Sequence, residues 1–122
     1  MNNSQADAFW HSIREQTHAF FAGDLPLWRV SVPSTAAALP VQCPQLIEWG
    51  GALRWLRTDL GPQQVRDHAA RAGGHATLFR GGDRSLGVFT PLTPTLAAIH
   101  RRLKAQFDPA GIFNPGRLYP DL

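Results

Sequence analysis

The sequence predicts an α+β fold of the ferredoxin-like split βαβ type, with a four-stranded antiparallel sheet, helices on one face and an additional N-terminal helix. Three observations predict it. Four strand-like segments occur, the pair Gly50-Gly51 separates the second from the third, and a helical segment follows both the first and the third. A chain of 122 residues that is 43% hydrophobic can close one core. Residues 1–122 are therefore expected to form a single domain.

The first half of the chain contains three of these elements. Gln5–Ala22 carries apolar side chains at helical spacing without Pro or Gly, which predicts the N-terminal helix. Leu27–Val32 alternates between two faces and predicts the first strand. Ser34 can cap a short, alanine-rich helix over residues 35–39 that stops at Pro40.

The second half supplies a hairpin, a helix, a strand and a final helix. The predicted segments are the strands Leu46–Trp49 and Ala52–Arg57, the helix Gln63–Ala72 and the strand His75–Arg80. Gly73-Gly74 should close the Gln63–Ala72 helix in the left-handed conformation. Thr93 or Thr95 can start the final helix, whose apolar stripe is Leu96, Ile99, Leu103 and Phe107. Helices on one face would leave the other face for a different domain or subunit to cover.

Composition argues against several classes of protein. The net charge of +3 is dispersed along the chain, which argues against a nucleic-acid-binding stripe. No apolar run approaches the length of a membrane span and no signal peptide is visible, so a soluble cytoplasmic protein is expected. A single cysteine, Cys43, and the lack of an H-E-x-x-H pair predict no metal site.

The sequence also lacks the glycine-rich fingerprints that cradle a pyrophosphate between a strand and a helix. Neither Gly73-Gly74 nor Gly81-Gly82 forms one. The chain alone is therefore not expected to bind a dinucleotide tightly.

Two arginines and a tryptophan are candidate substrate-binding residues. Arg29 and Arg54 are predicted in the middle of strands, where an unpaired cation is costly to bury, so both should point away from the core. On one shared face their guanidinium groups could bind a carboxylate; alternatively each pairs with a neighbouring acid. Trp49, beside the hairpin turn, could form an exposed platform or pack against another domain.

The segment 107–118 reads as two rigid turns. Asp108 can cap a turn that begins at Pro109, and Asn114 precedes Pro115-Gly116 with its side-chain amide free. Ile112 and Phe113, between the turns, are expected to dock on the domain. Turns of this kind can be purely structural.

This segment, FDPAGIFNPGRLYPDL, resembles the C-terminal signature of FAD-linked oxidases of the vanillyl-alcohol-oxidase type. The segments LWRVSVP, LIEWGGALRWL and AGGHATLF, in that order, are similar to the FAD-binding subunit of bacterial glycolate oxidase. The resemblance covers essentially the whole chain after Met1.

The resemblance implies a C-terminal cap or substrate domain that lies over the flavin of a separate N-terminal FAD domain, which this chain lacks. FAD would be the cofactor of the complete subunit, with Asp108, Asn114 and Gly116 as the matching cofactor-binding positions and Asn114 nearest the flavin. The implied partners are a homologous flavin subunit and an iron–sulfur subunit, through which the protein could attach peripherally to the inner membrane. The isolated chain is expected to be inactive.

One departure from related 2-hydroxy-acid dehydrogenases leaves the catalytic residues unassigned. Their His-x-Gly-Asp-x-Asn motif is absent here, and His75 does not match it. A non-catalytic docking module for sister subunits is the alternative function, because fold alone does not choose between them. A small-ligand regulatory domain would require a pocket closed within this chain.

Overall fold

The computed structural model describes residues 3–122, which fall into two compact units. The first unit ends at Gly82 and the second is Asp83–Leu122. The helices and strands of the first unit are α1 (Asn3–Arg14), β1 (Leu27–Ser31), β2 (Gln45–Glu48), β3 (Leu53–Arg57), α2 (Pro62–Arg71) and β4 (His75–Arg80). The second unit contains α3 (Pro94–Phe107). Short 3-10 turns cover Ala19–Phe21, Trp49–Gly51 and Arg84–Leu86.

The four strands form one antiparallel sheet in the order β2-β3-β1-β4. This places the first and third strands at the centre, which is the arrangement of a ferredoxin-like sheet. The predicted α+β class, the four strands and the hairpin between β2 and β3 are confirmed. The predicted helix before β4 and the final helix are confirmed as well.

One face of the sheet packs against α2 and holds the larger core. Alternate residues of the strands point to this face, since side chains along a strand alternate between its two sides. The core includes Trp28, Val30, Leu56 and Leu78 from the strands and Val65 and Ala69 from α2. All six are at most 2% exposed.

The other face is partly covered by the chain's own N-terminal segment. Ile13 of α1 and Phe21 are buried there against Trp55, whose ring meets that of Phe21 edge-on at 5.7 Å. The guanidinium groups of Arg57 and Arg80 donate to the backbone carbonyls of residues 20 and 21, at 3.2 and 2.6 Å. The N-terminal segment, which the sequence interpretation treated as an addition to the sheet, therefore covers part of the face that was expected to be left to a partner.

The N-terminal helix is shorter than predicted. It ends at Arg14, and Gln16 adopts a positive φ of 56° that breaks the helical path before a separate 3-10 turn. A continuous helix to Ala22 would carry Phe21 along a straight axis, whereas the break lets Phe21 turn onto Trp55 while Ile13 is also buried. Burial of these side chains thus overrides the local helical pattern.

The short helix predicted over residues 35–39 does not form. The connection from β1 to β2 is irregular. The Ala36 N–H donates to the Pro33 carbonyl at 2.9 Å in one turn, and the Val41 N–H donates to the Leu39 carbonyl at 2.8 Å in a tighter one. Pro40 has no N–H to offer the Ala36 carbonyl, as a helix would require. Arg54 supplies the missing donors: its Nη2 and Nη1 donate to the carbonyls of Ala36 and Ala37, each at 2.6 Å.

The backbone between α2 and β4 passes very close to the backbone of β1. Gly73 ends the helix with a positive φ of 78°, as predicted, but Gly74 does not share that conformation. A Cβ at Gly74 would lie 1.9 Å from the Ser31 carbonyl oxygen. Only glycine therefore allows β4 to enter the sheet beside β1 at this point.

We expect Arg54→Leu to destabilise the first unit severely. Arg54 is 3% exposed and its Nε also donates to the Gly51 carbonyl at 3.1 Å, so the variant leaves three carbonyls without their donor. The expected loss is about 2–4 kcal/mol of the free energy of unfolding, measured by urea denaturation. Arg29→Gln, on an exposed strand position, is the matched control and should cost less than about 0.5 kcal/mol. Equal losses in the two variants would contradict this role for Arg54.

Candidate functional site

The exposed part of the second sheet face carries Arg29. It lies opposite Trp55 of β3 and Thr77 of β4, while Ser31, two residues further on, lies opposite His75. Arg29 and His75 are exposed, and no residue in the described part of the chain hydrogen-bonds or pairs with Arg29. Arg29 thus presents a free guanidinium beside two hydroxyls and an imidazole, a set of donors that suits a small carboxylate.

Arg54 lies on the opposite face of the sheet. Its partner across β1 is Val30, whereas the partner of Arg29 across β3 is Trp55. The two arginines therefore do not form the shared patch that was one of the two hypotheses, and the expectation that Arg54 points away from the core is wrong. The three backbone carbonyls that Arg54 binds offset the cost of burying its charge.

Trp49 lies at the tip of the β2–β3 hairpin and is 80% exposed. Its φ of 51° and that of Gly50, 60°, turn the backbone through the left-handed region, and Ile47 beside it is 56% exposed. The side chain of Trp49 is therefore available as a platform. Trp55, by contrast, is buried and donates from Nε1 to Glu48 at 2.6 Å.

In the second unit, the residues after α3 are held by a clamp between Lys104 and Asp108. The Asp108 carboxylate accepts from the N–H groups of Ile112 and Phe113 at 3.0 and 2.9 Å. It also pairs with the Lys104 ammonium at 2.6 Å, and that ammonium donates in addition to the Phe113 carbonyl. Asp108 thus acts on a turn, as predicted, through amides that follow the Pro109–Gly111 turn.

The electrostatics of the clamp favour the ionised carboxylate. The hydrogen bond from Lys104 is the largest influence and, with the amides of Phe113 and Ile112, lowers the pKa of Asp108 to about 2, although burial acts in the opposite direction. Asp108 is therefore negatively charged throughout the physiological range.

The clamp fixes the backbone immediately before Asn114. Asn114 has a positive φ of 46° and its carbonyl accepts from the Arg117 N–H at 3.2 Å, while the Gly116 N–H donates to the Leu122 carbonyl at 2.6 Å. The Asn114 side chain is exposed and hydrogen-bonds to no described residue. It borders an open cavity of about 460 Å³ lined by His100, Lys104, Phe113, Asn114, Arg117, Leu118 and Leu122.

Apolar side chains of the second unit are unusually exposed. The stripe of α3 is 46–51% exposed at Leu96, Ile99 and Leu103 and 82% exposed at Phe107. Ile112 and Phe113 are 69% and 63% exposed, so the docking expected of these two side chains does not occur within the second unit. Backbone hydrogen bonds to Asp108, rather than apolar burial, hold this turn.

Residues 3–122 contain neither a cluster of metal ligands nor a membrane-spanning helix. No group of three or more His, Cys, Asp or Glu side chains in this range is arranged to hold a metal ion. No helix in it is long and apolar enough to cross a membrane.

The chain matches one protein family and one curated protein. Residues 89–118, which contain α3, the clamp and Asn114, match the family described as FAD linked oxidases, C-terminal domain. Over 117 residues, the chain is 48% identical to glycolate oxidase subunit GlcE of Escherichia coli (strain K12). The chain is similar to a glycolate oxidase subunit. The alignment covers 96% of this chain but 33% of GlcE, so the chain spans about a third of that relative's length. No solved structure matches the chain.

These matches confirm the predicted resemblance. The sequence interpretation nevertheless did not identify Lys104 as a partner of Asp108. Its spacing of four residues from Asp108 was the available signal, because side chains at i and i+4 meet on a helix. It also missed that Thr77 and His75 share a face with Arg29, which depends on the register between β1 and β4.

Lys104→Gln should raise the pKa of Asp108 from about 2 toward its ordinary value near 3.8, because the variant removes the strongest hydrogen bond to the carboxylate. A carboxyl group with a lowered pKa stabilises the folded state above its unfolded pKa, and this stabilisation is lost as the pH falls through the folded value. The clamp should therefore open near pH 2 in the wild type and at higher pH in the variant.

The measurement is an NMR titration that follows the amides of Ile112 and Phe113. Arg102→Gln is the control, since it removes a cation from the same helix without touching Asp108. Identical midpoints in all three proteins would show that Lys104 does not set this titration.

Proposed function

We propose that this chain is the domain that covers the flavin in the FAD-binding subunit of a glycolate, or 2-hydroxy-acid, oxidase. The observation that carries the proposal is the 48% identity to GlcE along 96% of the chain, which includes the clamped turn. The whole subunit would bind FAD through a separate N-terminal domain. FAD in such an enzyme supplies the acceptor for the hydride removed from the α-carbon of the hydroxy acid.

Asn114 and Gly116 are the positions that we assign to the flavin side of this domain. The exposed Asn114 amide has free donors and an acceptor, and the clamp holds the backbone before it in one conformation. Asp108 acts indirectly, since its carboxylate is fully engaged by Lys104 and two amides. Because the backbone before Asn114 is already fixed, only its side chain has to be ordered when the amide binds a heterocycle.

Arg29 is the proposed carboxylate-binding residue. Its guanidinium is exposed and free of acidic partners in the described residues, and Thr77 lies directly across the strand pair. Arg54 would contribute through the hairpin: it binds the Gly51 carbonyl and so supports the turn that presents Trp49. Trp49 would then pack against the substrate or the neighbouring domain.

The apolar stripe of α3 supports association with other protein surfaces. Leu96, Ile99, Leu103 and Phe107 are all at least 46% exposed, and apolar patches of this kind commonly mark interfaces. We assign this stripe to the N-terminal FAD domain of the same subunit. The further partners proposed are a homologous flavin subunit and an iron–sulfur subunit, in a cytoplasmic complex attached peripherally to the inner membrane.

The exposed stripe also favours a second candidate function, a non-catalytic docking module. In that case α3 would bind a sister subunit, and the sheet face that bears Arg29 would never meet substrate. The two functions differ in what Arg29 and the stripe each contribute.

Asn114→Gly in the complete subunit should weaken FAD binding about tenfold, the loss expected for one hydrogen bond to a polar ligand in a buried site. Glycine is preferable to alanine because the backbone φ is positive. FAD retention through gel filtration and the fluorescence of released flavin would measure the effect. Arg102→Gln serves as the control, and unchanged FAD binding in Asn114→Gly would exclude the proposed contact.

Arg29→Gln should raise the KM for glycolate about tenfold in the assembled oxidase while leaving assembly intact, since it removes a bidentate carboxylate donor. Leu103→Glu should impair assembly, because it places a charge within the apolar stripe, and should leave the KM of any oxidase that still assembles unchanged. Steady-state kinetics and analytical ultracentrifugation measure the two effects. Normal kinetics with Arg29→Gln, combined with lost assembly in Leu103→Glu, would favour the docking module.

A further inference from the structure

The loop between β1 and β2 has two successive carbonyls drawn to one side. Arg54 binds the carbonyls of Ala36 and Ala37, each at 2.6 Å. None of the described peptide bonds is cis, and in a trans peptide the C=O and the next residue's N–H point in opposite directions. The N–H groups of Ala37 and Ala38 therefore both point away from the buried guanidinium.

Neither of these N–H groups donates to another described residue. Successive backbone N–H groups that point to the same side form a concave, partly positive surface that binds anions. The arrangement at Ala37 and Ala38 has this character, and Arg54 enforces it from the opposite side of the loop.

A cavity lies beside these amides. It has a volume of about 310 Å³ and is lined by Ala36, Ala37, Ala38, Leu39 and Pro40 of the loop and by His68, Arg71 and Ala72. None of these lining residues is acidic. Arg71 is exposed and pairs with no described acid, while Asp67, one turn earlier on α2, accepts instead from Gln63 at 2.8 Å. Arg71 therefore gives the lining of this cavity a positive charge that no acidic lining residue offsets.

We propose that this cavity is a binding site for a small oxyanion. The N–H groups of Ala37 and Ala38 and the guanidinium of Arg71 are its donors, and Arg54 is a positioning residue that orients the amides without touching the ligand. The alanine methyl groups leave room for a ligand the size of a short carboxylic acid or a phosphate group. None of the three donors of this site is assigned to the flavin or to glycolate, so anion binding at these donors can be tested separately from the proposed oxidase function. Arg54 supports both the Trp49 hairpin and these amides, and it touches neither ligand.

The test is an NMR titration of the ¹⁵N-labelled 122-residue chain with acetate and, separately, with inorganic phosphate, at constant ionic strength maintained with chloride. We expect saturable shifts at the amides of Ala37 and Ala38 with either or both anions. Saturation by acetate alone identifies a carboxylate site and saturation by phosphate alone a phosphate site. Arg71→Gln should weaken the affinity about tenfold, as expected for the loss of one charge-assisted hydrogen bond.

Arg102→Gln in the second unit is the control, because it makes the same change in net charge away from the cavity. Arg54→Lys, if it folds, should abolish the shifts at Ala37 and Ala38, since one ammonium cannot hold both carbonyls in the same geometry. The proposal is overturned if chloride alone produces the same shifts, if the shifts do not saturate with either anion, or if Arg71→Gln and Arg102→Gln weaken binding equally.

Discussion

The fold of the first unit depends on the buried guanidinium of Arg54, which donates hydrogen bonds to backbone carbonyls. Arg54 is nearly inaccessible, and its guanidinium satisfies three carbonyls: one in the hairpin turn and two in the connection between β1 and β2. That connection replaces the first crossover helix of a ferredoxin-like fold. Arg57 and Arg80 repeat the pattern on the other face by holding carbonyls of the N-terminal segment. Irregular chain is thus fixed to the sheet by arginine side chains.

Local sequence patterns were sufficient for the strands, α2 and α3, but not for the connections. Alternation, Gly50-Gly51, Pro62 and Thr93 act over a few residues, so their effects can be inferred without knowing the fold. Two of the three carbonyls bound by Arg54, those of Ala37 and Ala36, lie 17 and 18 residues earlier in the chain. The periodic patterns used to predict helices and strands give no information about hydrogen-bond partners so far apart in the sequence. Likewise, the early end of α1 depends on Phe21 reaching Trp55, which requires the assembled sheet.

In the candidate site, too, the features that depend on nearby residues were predictable and those that depend on distant residues were not. The turn at Asp108 and the exposed Asn114 were predictable because both depend on nearby residues. The separation of Arg29 from Arg54 followed from strand register, since a mid-strand position does not reveal its face until the pairing is known. The exposure of Ile112 and Phe113 was not predictable either, because apolar composition alone does not distinguish a core contact from a surface.

Lys104 is the only lysine in the chain, and its side chain is 28% exposed. Reagents that acylate amines, and enzymes that acetylate lysine, therefore have one side-chain target in this sequence. Acylation there would abolish the positive charge and remove the ammonium that bridges Asp108 and Phe113. The other eleven basic side chains of this sequence are arginines, which such reagents leave unchanged. The one side-chain amine is therefore also the group that helps to fix the segment immediately before Asn114.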